Sequence, residues 1–341
     1  MSKIRLGIIG CGWVAPFHVQ ALNSLSDRVE IVWVADPDRM KAEQVSHQIK
    51  GSRSVRVLVD YQEGLDGVDA VSVLTPHHLH NPMTVDALNA GCHVLLEKPF
   101  ALSLKEADEM IDAASAAEKV LMVGYPHRYR KSTKMFKELV TGGRYGKLFM
   151  IDAMMDEDQR EYVGGWLTKK STLGGGVFFS ASPHMLDVMM YIAGDIQTIS
   201  MVGTHGGLAM EGEDTALSVM KFNNGVVGAT RHTWFSAKPG NWYTLRAFCE
   251  NATLTLTVNP LGDLASQGHL CPWETRITVA GSCSGLLLES EEGLDFTEEV
   301  RHFLDCITEL VPCQTDGHTA RKLMAAVLEA YEKAERDGGL P

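Results

Sequence analysis

Short apolar runs alternate with amphipathic stretches along the first third of the chain. The runs have the length of buried strands, and they are Ile4–Ile9, Ile31–Ala35, Val71–Leu74, His93–Leu96 and Val120–Val123. Between them the pattern predicts helices over Pro82–Ala90 and Leu104–Glu118, the second with Ser103 and Glu106 as a capping box. Buried strands that alternate with helices predict a parallel sheet covered on both faces, here an α/β domain over residues 1–124.

The pattern changes after residue 124. A helix is predicted over Thr133–Val140, and longer strands with partial two-residue periodicity follow: Leu148–Ala153, Thr198–Val202, Ala216–Phe222, Val226–Thr233, Tyr243–Phe248 and Ala252–Val258. Residues 259–293 are interpreted as loop or weak strand, and two helices, Thr297–Leu310 and Thr319–Arg336, close the chain. Residues 125–341 therefore form a predicted second α/β domain with an open, mostly antiparallel sheet.

One face of this second sheet is expected to lie outside the helix layer. Met220, Phe222, Val227 and Trp234 are the apolar residues assigned to that face. Because an uncovered apolar sheet face favours association, we expect a homodimer or a homotetramer.

Length and charge narrow the class of protein. A chain of 341 residues is expected to form two domains, and its net charge of −12 argues against nucleic acid and anionic membranes as partners. No apolar run approaches the ~20 residues of a membrane span. The seven cysteines are scattered without C-x-x-C spacing, so the sequence predicts no metal site and a reducing, cytoplasmic location.

The turn after the first strand carries a dinucleotide fingerprint, Gly10-Cys11-Gly12-Trp13-Val14-Ala15. Gly10 permits the tight turn, Gly12 lets a pyrophosphate approach the backbone, and Trp13 and Val14 lead into the helix whose N-terminus attracts phosphate. Asp36 ends the second strand, where it would accept hydrogen bonds from a ribose 2′-hydroxyl. It favours NAD over NADP, although nearby Arg39 could partly offset this preference.

Further candidate ligand-binding residues follow the other strands of the first domain. Ligands of such sheets bind beyond the carboxyl ends of the strands, which predicts cofactor contacts at Thr75, Pro76, His80, Glu97 and Lys98. His77, His78 and His80 resemble a metal cluster in the sequence. Their position favours cofactor-loop or helix-capping roles instead, and no metal is expected there.

Several of these motifs together resemble the Gfo/Idh/MocA oxidoreductases, which include glucose–fructose oxidoreductase and inositol dehydrogenases. The motifs, in matching order and spacing, are Gly10–Ala15, Thr75–His80, Ala90–Pro99 with Glu97-Lys98-Pro99, Gly124–Tyr129, Gly174–Gly176 with His184 and Asp187, and Asp316-Gly317. The resemblance covers essentially the whole chain. It implies a Rossmann domain, a second α/β domain with an open sheet, and a sugar-like substrate.

The resemblance also implies catalytic roles for Lys98 and His184 and a cis peptide bond between Lys98 and Pro99. A partly desolvated lysine beside a cationic nicotinamide could share the proton of a substrate hydroxyl. The family usually has an aspartate four residues before this histidine, but here Ser180 occupies that position. A serine cannot carry negative charge or act as a general base at neutral pH, although it can hydrogen-bond a sugar hydroxyl.

The predicted substrate-binding residues are Tyr125, His127, Arg128, Trp166, Ser180 and His184. Alternative roles stay open for several: Arg128 as a structural ion-pair partner, Trp166 as packing and His184 as a core histidine. Asp187 could simply orient His184. The acidic run Asp156-Glu157-Asp158 is interpreted as a solvated surface rather than a binding feature.

These features predict an NAD-dependent dehydrogenase that transfers hydride to or from a secondary alcohol or ketone carbon of a sugar, cyclitol or sugar derivative. Two alternatives remain. One is an NAD-dependent glycosidase, which would break a glycosidic bond by oxidation, elimination, addition and re-reduction with no net redox change. The other is a non-catalytic dinucleotide sensor. The sequence leaves open which sugar and carbon react, the direction, and whether the substrate carries phosphate or a nucleotide.

Overall fold

The structure is a computed structural model that describes residues 2–51, 54–237, 242–261, 273–281, 284–290 and 296–341. The chain divides into two compact units. The first unit consists of Met1–Pro126 with Asp295–Arg321, and the second of His127–Leu294 with Lys322–Pro341. Residues 295–321 thus pack with the first unit, although the predicted boundary assigned every residue after 124 to the second domain.

The first unit contains a six-stranded sheet in which every neighbouring pair is parallel. Its strands are β1 (Ile4–Ile9), β2 (Val29–Ala35), β3 (Arg56–Leu58), β4 (Ala70–Val73), β5 (His93–Glu97) and β6 (Leu121–Gly124). They lie in the order β3-β2-β1-β4-β5-β6. This is the order of a doubly wound dinucleotide-binding sheet, and it confirms the predicted Rossmann topology.

The helices of the first unit follow its strands. They are α1 (Ala15–Ser24), α2 (Arg39–Ser46), α3 (His80–Asn89) and α4 (Leu104–Ala117), with a later helix, α10 (Thr297–Thr308). Ser103 caps α4 through the Glu106 amide, and Glu106 Oε2 accepts from Leu102 N–H rather than from Ser103. Helix α10 packs against α1, where Phe296 stacks on Phe17 with ring centroids 5.6 Å apart. This packing explains why residues 295–321 join the first unit.

Trp33 fixes the packing at one face of this sheet. Its ring is fully buried, and its Nε1–H donates to the Gly64 carbonyl at 2.9 Å. A Cβ at Gly7 would lie 2.1 Å from the indole, and one at Gly64 would lie 2.5 Å from it. Glycine is therefore required at both positions by the volume of one side chain.

The second unit contains an eight-stranded sheet in the order β14-β13-β12-β11-β7-β10-β9-β8. The strands are β7 (Leu148–Asp156), β8 (Ile196–Thr204), β9 (Thr215–Phe222), β10 (Val227–Thr233), β11 (Tyr243–Cys249), β12 (Ala252–Pro260), β13 (Trp273–Gly281) and β14 (Gly285–Ser290). Only the β7–β10 pair is parallel among these described strands. The mostly antiparallel sheet was therefore predicted correctly.

The helices of the second unit are mostly short. They are α5 (Pro126–Tyr129), which begins at the boundary, α6 (Lys131–Thr141), α7 (Lys170–Leu173), α8 (Val177–Ser180), α9 (Ser182–Ala193) and α11 (Gly317–Arg336), which begins in the first unit. Short 3₁₀ segments occur at Tyr61–Gly67, His77–Leu79 and Gly165–Thr168. None of the helices within the described part of the chain is long and apolar enough to span a membrane.

Two expectations about the second sheet need correction. Within residues 259–293, β13 and β14 form an antiparallel pair of strands with one register shift at Ile277/Thr278, and β13 alternates buried and accessible positions despite its polar residues. Residues 262–272, 282–283 and 291–293 lie outside the described residues.

The expected exposed face is also wrong. Met220, Phe222 and Trp234 are buried, and only Val227 of the four is exposed. The accessible face instead carries Val202, Leu217 and Val219, which were not expected there, together with Val227. We call these four residues the sheet patch.

Candidate functional site

The glycine turn after β1 has the geometry of a phosphate cradle. Gly10 has φ +94°, and a Cβ there would lie 2.5 Å from the Leu74 carbonyl oxygen, so this position requires glycine. Gly12 differs, because no described atom lies within 4 Å of the position where its Cβ would be. The open space at Gly12 lies directly before the N-terminus of α1, where Val14 is the N-cap residue and Ala15 is the first residue of the helix. The backbone can therefore approach a pyrophosphate there, as the sequence predicts.

Asp36 is held at the edge of this cradle. Its Oδ2 accepts the Cys11 N–H at 2.9 Å, and its Oδ1 accepts the Asp38 N–H at 2.8 Å. A carboxylate has about four lone-pair positions, so it can still accept ribose hydroxyls. Burial and the Asp36 charge raise the pKa of the Cys11 thiol to about 12, which keeps the thiol neutral. Arg39 is exposed and paired with Glu43 at 3.0 Å.

His80 connects the turn after β4 to the segment after β5. Its Nε2 lies 2.9 Å from the Thr75 carbonyl oxygen, and its Nδ1 lies 2.8 Å from the Pro99 carbonyl oxygen. Burial lowers the pKa of this fully buried ring, while the two hydrogen bonds act in the opposite direction. His80 therefore positions Thr75-Pro76 and Lys98-Pro99 from inside the fold. Among the described residues, His77, His78 and His80 do not form a metal-type cluster.

Glu97 and Lys98 lie at the carboxyl end of β5, and the Lys98–Pro99 peptide bond is cis, which confirms the expectation. Glu97 is buried; its Oε1 lies 2.9 Å from His18 Nε2, and its Oε2 accepts the Lys98 N–H at 3.1 Å. Burial alone raises the pKa of Glu97, but the hydrogen bond and charge of His18 hold it below its ordinary value. The ionised carboxylate thus fixes the backbone that carries Lys98.

In the second unit, a glycine-rich turn precedes the segment with Ser180 and His184. Tyr331 O–H donates to Glu213 Oε1 at 2.7 Å, and the Tyr331 oxygen accepts the N–H groups of Gly176 and Phe179. A Cβ at Gly176 would lie 2.0 Å from the Glu213 carbonyl oxygen. Burial raises the pKa of Glu213. This buried pair holds the turn and the start of α8 in one position.

His184 lies in the first turn of α9, next to a group of aromatic rings. The His127 ring meets the His184 ring edge-on with centroids 4.8 Å apart. His127 also contacts Trp242 and Tyr243, at centroid distances of 5.5 and 5.2 Å. His184 is partly accessible, whereas His127 is 2% exposed. The structure therefore brings two predicted substrate residues together, with His184 as the more accessible one.

Arg128 is part of a buried ion pair. Its guanidinium donates to both carboxylate oxygens of Asp187, with Nε 2.9 Å from Oδ2, and Arg128 also lies over the Tyr191 ring. Arg128 and Asp187 are 7% and 1% exposed, respectively. The geometry gives Arg128 the structural ion-pair role that the sequence left open. Asp187 orients α9 through Arg128.

The remaining predicted residues lie in separate surroundings. Tyr125 is 1% exposed after β6, and Trp166 is partly buried in the 3₁₀ segment where its carbonyl accepts the Thr172 hydroxyl. Ser180 is 5% exposed at the end of α8.

The acidic run is more ordered than a solvated surface. Asp156 pairs with Arg231 and Asp158 with Arg160. Glu157 accepts the indole N–H groups of Trp234 and Trp242, at 3.0 and 3.3 Å.

Sequence reasoning missed His18, Glu213 and Tyr331. Each of them supports a predicted segment through a partner that is distant in sequence. The sequence separation is 79 residues in the His18–Glu97 pair and 118 residues in the Glu213–Tyr331 pair. A signal existed for His18, because it lies on the first helix after the glycine turn, among apolar residues. Nothing local marked Glu213 or Tyr331.

The cradle and the β5 segment define a dinucleotide-binding enzyme of the doubly wound class. Residues 4–125 match the family described as an oxidoreductase family with an NAD-binding Rossmann fold, and residues 133–255 match the Gfo/Idh/MocA C-terminal domain. The chain belongs to the Gfo/Idh/MocA oxidoreductase family. The first unit is its NAD-binding domain, and the open space at Gly12 and the acceptor at Asp36 fit that cofactor.

Individual relatives agree with this assignment. D-Glucoside 3-dehydrogenase of Escherichia coli is 33% identical over 244 residues, 66% of this chain and 68% of the relative. 1,5-Anhydro-D-fructose reductase of Ensifer adhaerens is 29% identical over 69% of this chain and 70% of the relative. The WlbA dehydrogenase of Bordetella pertussis, solved with NADH and UDP-GlcNAcA, shares the fold with a TM-score of 0.81 and 21% identity, over 99% and 98% of the two chains.

Proposed function

We propose that the chain is an NAD-dependent dehydrogenase acting on a secondary hydroxyl or ketone of a sugar, a cyclitol or a sugar derivative. The arrangement around Lys98 carries this proposal: a partly accessible lysine at the carboxyl end of β5, on a backbone that Glu97, His18 and His80 hold in place. The named activities of the two relatives, a glucoside dehydrogenase and an anhydrofructose reductase, support a pyranose-like substrate.

In this proposal NAD supplies the hydride acceptor when it is bound. Lys98 hydrogen-bonds the reacting hydroxyl and takes its proton as the carbon is oxidised. In the reducing direction, the lysine returns that proton to the oxygen. Its fixed backbone keeps the amine where the hydroxyl must lie, which is what a general base requires.

We assign substrate binding in the second unit to the segment around His184. His184 is the accessible ring of the His127–His184 pair, so it is suited to hold a second hydroxyl and to share its proton. Ser180 lies at the end of α8, just before α9, and offers a hydroxyl in place of a carboxylate. Trp166 and Tyr125 stay candidates for contact with the sugar, without further support from their surroundings.

The test follows NADH absorbance over a panel of pyranosides, free sugars, 1,5-anhydro sugars and inositols, in both directions. On the best substrate, Lys98→Ala should lower kcat by ~10²-fold or more, with little change in the dissociation constant of NAD. Lys105→Ala is the matched control, since Lys105 is an exposed lysine of α4. Full activity of Lys98→Ala would contradict the mechanism. Turnover without net NADH change would instead indicate the glycosidase alternative.

We also propose a homo-oligomer joined through the sheet patch. Val202 and Leu217 face each other across β8 and β9, and they are 55% and 51% exposed. Isolated apolar residues at a surface are ordinary, but a row across adjacent strands favours burial against a second copy. Light scattering should give a dimer or a tetramer, and Val219→Asp should shift it toward the 37.4 kDa monomer. A monomeric wild-type protein would contradict this proposal.

We place the protein in the cytoplasm. The support is that Cys11, Cys92, Cys249, Cys306 and Cys313, the cysteines within the described ranges, are free thiols.

A further inference from the structure

Three side chains with metal-binding atoms converge in the first unit, away from the cofactor cradle. His302 and Cys306 lie one turn apart on α10, and Cys313 comes from the segment that follows this helix. The ligating atoms of the three residues all lie within 4.8 Å of one another. His302 Nε2 is 3.5 Å from Cys306 Sγ. This site was not expected from the sequence, because His302, Cys306 and Cys313 include no C-x-x-C pair.

The distances suit a tetrahedral zinc-type ion. Zinc–nitrogen bonds of about 2.0 Å and zinc–sulfur bonds of about 2.3 Å, at a tetrahedral angle, place the nitrogen and sulfur about 3.5 Å apart. The observed separation of 3.5 Å matches this value. Thiolate and imidazole ligands favour zinc over magnesium or calcium, which prefer oxygen. Residues four apart on a helix lie on one face, so α10 supplies two ligands without distortion.

The third ligand is held by the edge of the sheet. After α10 the chain turns at Leu310, which has φ +54°. The Thr315 carbonyl then accepts the Val123 N–H at 2.8 Å, and Asp316 forms a bridge with Met122 of β6. Cys313 is thus fixed relative to β6 by backbone contacts.

One contact must change when an ion binds. The Gln314 N–H donates to His302 Nε2 at 3.1 Å, so it uses the lone pair that the metal would take. This hydrogen bond also keeps the Nε2 edge of the ring toward the sulfur atoms. Losing one neutral hydrogen bond is a small cost against two thiolate bonds and one imidazole bond to a divalent ion. Asp305, which directly precedes Cys306 on α10, is paired with Arg28 at 2.6 Å, so we assign the fourth position to water rather than to this carboxylate.

We propose that His302, Cys306 and Cys313 bind one zinc-type divalent ion, with water as the fourth ligand. The ion joins α10 to the segment that pairs with β6, and so stabilises the first unit. The three ligands lie on a helix and an edge segment that the dehydrogenase chemistry does not use, so the ion acts on stability and not on hydride transfer.

The experiment uses the full chain without a histidine tag, reduced, stripped of metal with a chelator, and titrated with Co²⁺ as the probe. Binding should saturate at one equivalent, with thiolate-to-cobalt charge-transfer bands and the visible bands of tetrahedral cobalt. Zn²⁺ should displace the cobalt and raise the unfolding temperature. Cys306→Ser and Cys313→Ser should lose the charge-transfer bands or bind far more weakly. His302→Gln should weaken binding.

Cys92→Ser is the matched control, because Cys92 is a buried free thiol of the same unit that lies outside the cluster. It should bind cobalt like the wild type. If a variant of His302, Cys306 or Cys313 fails to fold, the cobalt titration of the wild-type protein still tests the proposal. Two results would overturn the proposal: a reduced wild-type protein that shows no tetrahedral cobalt bands, or Cys313→Ser that binds cobalt as tightly as the wild type.

Discussion

Asp36→Asn should bring the affinities of the chain for NAD and NADP closer together. The substitution removes the negative charge at the end of β2 and keeps the size of the side chain. The Asp36 carboxylate is fixed by the Cys11 N–H and the Asp38 N–H, at 2.9 and 2.8 Å. Asparagine has one acceptor oxygen, so it can keep one of these two contacts. The charge therefore changes more than the position of the side chain.

The size of the effect follows from the charges. A 2′-phosphate within about 4 Å of the carboxylate is repelled by about 1 kcal/mol per pair of unit charges in bulk water, and by more near a protein surface. Salt reduces this repulsion, because Asp36 is partly accessible. At about 1.4 kcal/mol per tenfold change, the wild type should bind NAD roughly tenfold or more tightly than NADP. Asp36→Asn should lower that ratio roughly five- to tenfold, which brings the two affinities close to each other.

Isothermal titration calorimetry with both cofactors measures the ratio directly. Asp60→Asn is the matched control, since Asp60 caps the 3₁₀ segment Tyr61–Gly67 of the same unit and its loss changes the net charge equally. Glu43→Gln should release Arg39 and improve NADP binding more modestly. Equal affinities in the wild type, or the same ratio in both Asp variants, would refute the reasoning.

Three further predictions concern other parts of the chain. Gly12→Ala should leave the unfolding temperature nearly unchanged and weaken NAD binding, whereas Gly10→Ala should lower the unfolding temperature; the opposite pattern would contradict the cradle geometry. Burial lowers the pKa of His232 from 6.5 to about 3, so the folded state binds fewer protons than the unfolded state between these values. Stability should fall by about 1.4 kcal/mol per pH unit below 6.5, and urea unfolding of His232→Leu at pH 7 and pH 5 should show a smaller loss. Ser180→Asp should shift the pH optimum of kcat upward, since added negative charge favours protonated His184; an unchanged profile would place Ser180 outside the site.

Much of the fold could be predicted because its signals are local. The strands β1, β2, β4, β5 and β6 are apolar runs, and the glycine turn, Asp36 and the Glu97-Lys98-Pro99 segment lie at their carboxyl ends. Each of these features needs only a few consecutive residues to recognise. The topology rule for parallel sheets then brings them to one edge.

The rest could not be predicted because it depends on contacts between distant residues. Met220 and Phe222 were assigned to the wrong face of the sheet. Strand β9 has apolar residues on both of its faces, so its sequence does not indicate which face is buried. Polar β13 is a strand because three of the four side chains that it buries, Trp273, Ile277 and Val279, are apolar. Helix α10 joined the first unit through Phe296 and Phe17, which are 279 residues apart.

Glu97 and Asp187, the carboxylates close in sequence to Lys98 and His184, already hold other groups in place. Transfer of the substrate proton is therefore assigned to the lysine and the histidine. Glu97 is held by His18 and the Lys98 N–H, with its pKa below the ordinary value. Both oxygens of Asp187 accept from Arg128; burial raises the pKa of this carboxyl, and the charge and hydrogen bonds of Arg128 oppose that shift. A carboxylate that fixes other groups must stay ionised throughout the reaction, so it cannot exchange a proton with the substrate without releasing what it holds. With Ser180 in place of an aspartate, the groups suited to that exchange are Lys98 and His184. The pH dependence of kcat should therefore follow basic groups, and an ionisation near the ordinary carboxylate range would contradict this assignment.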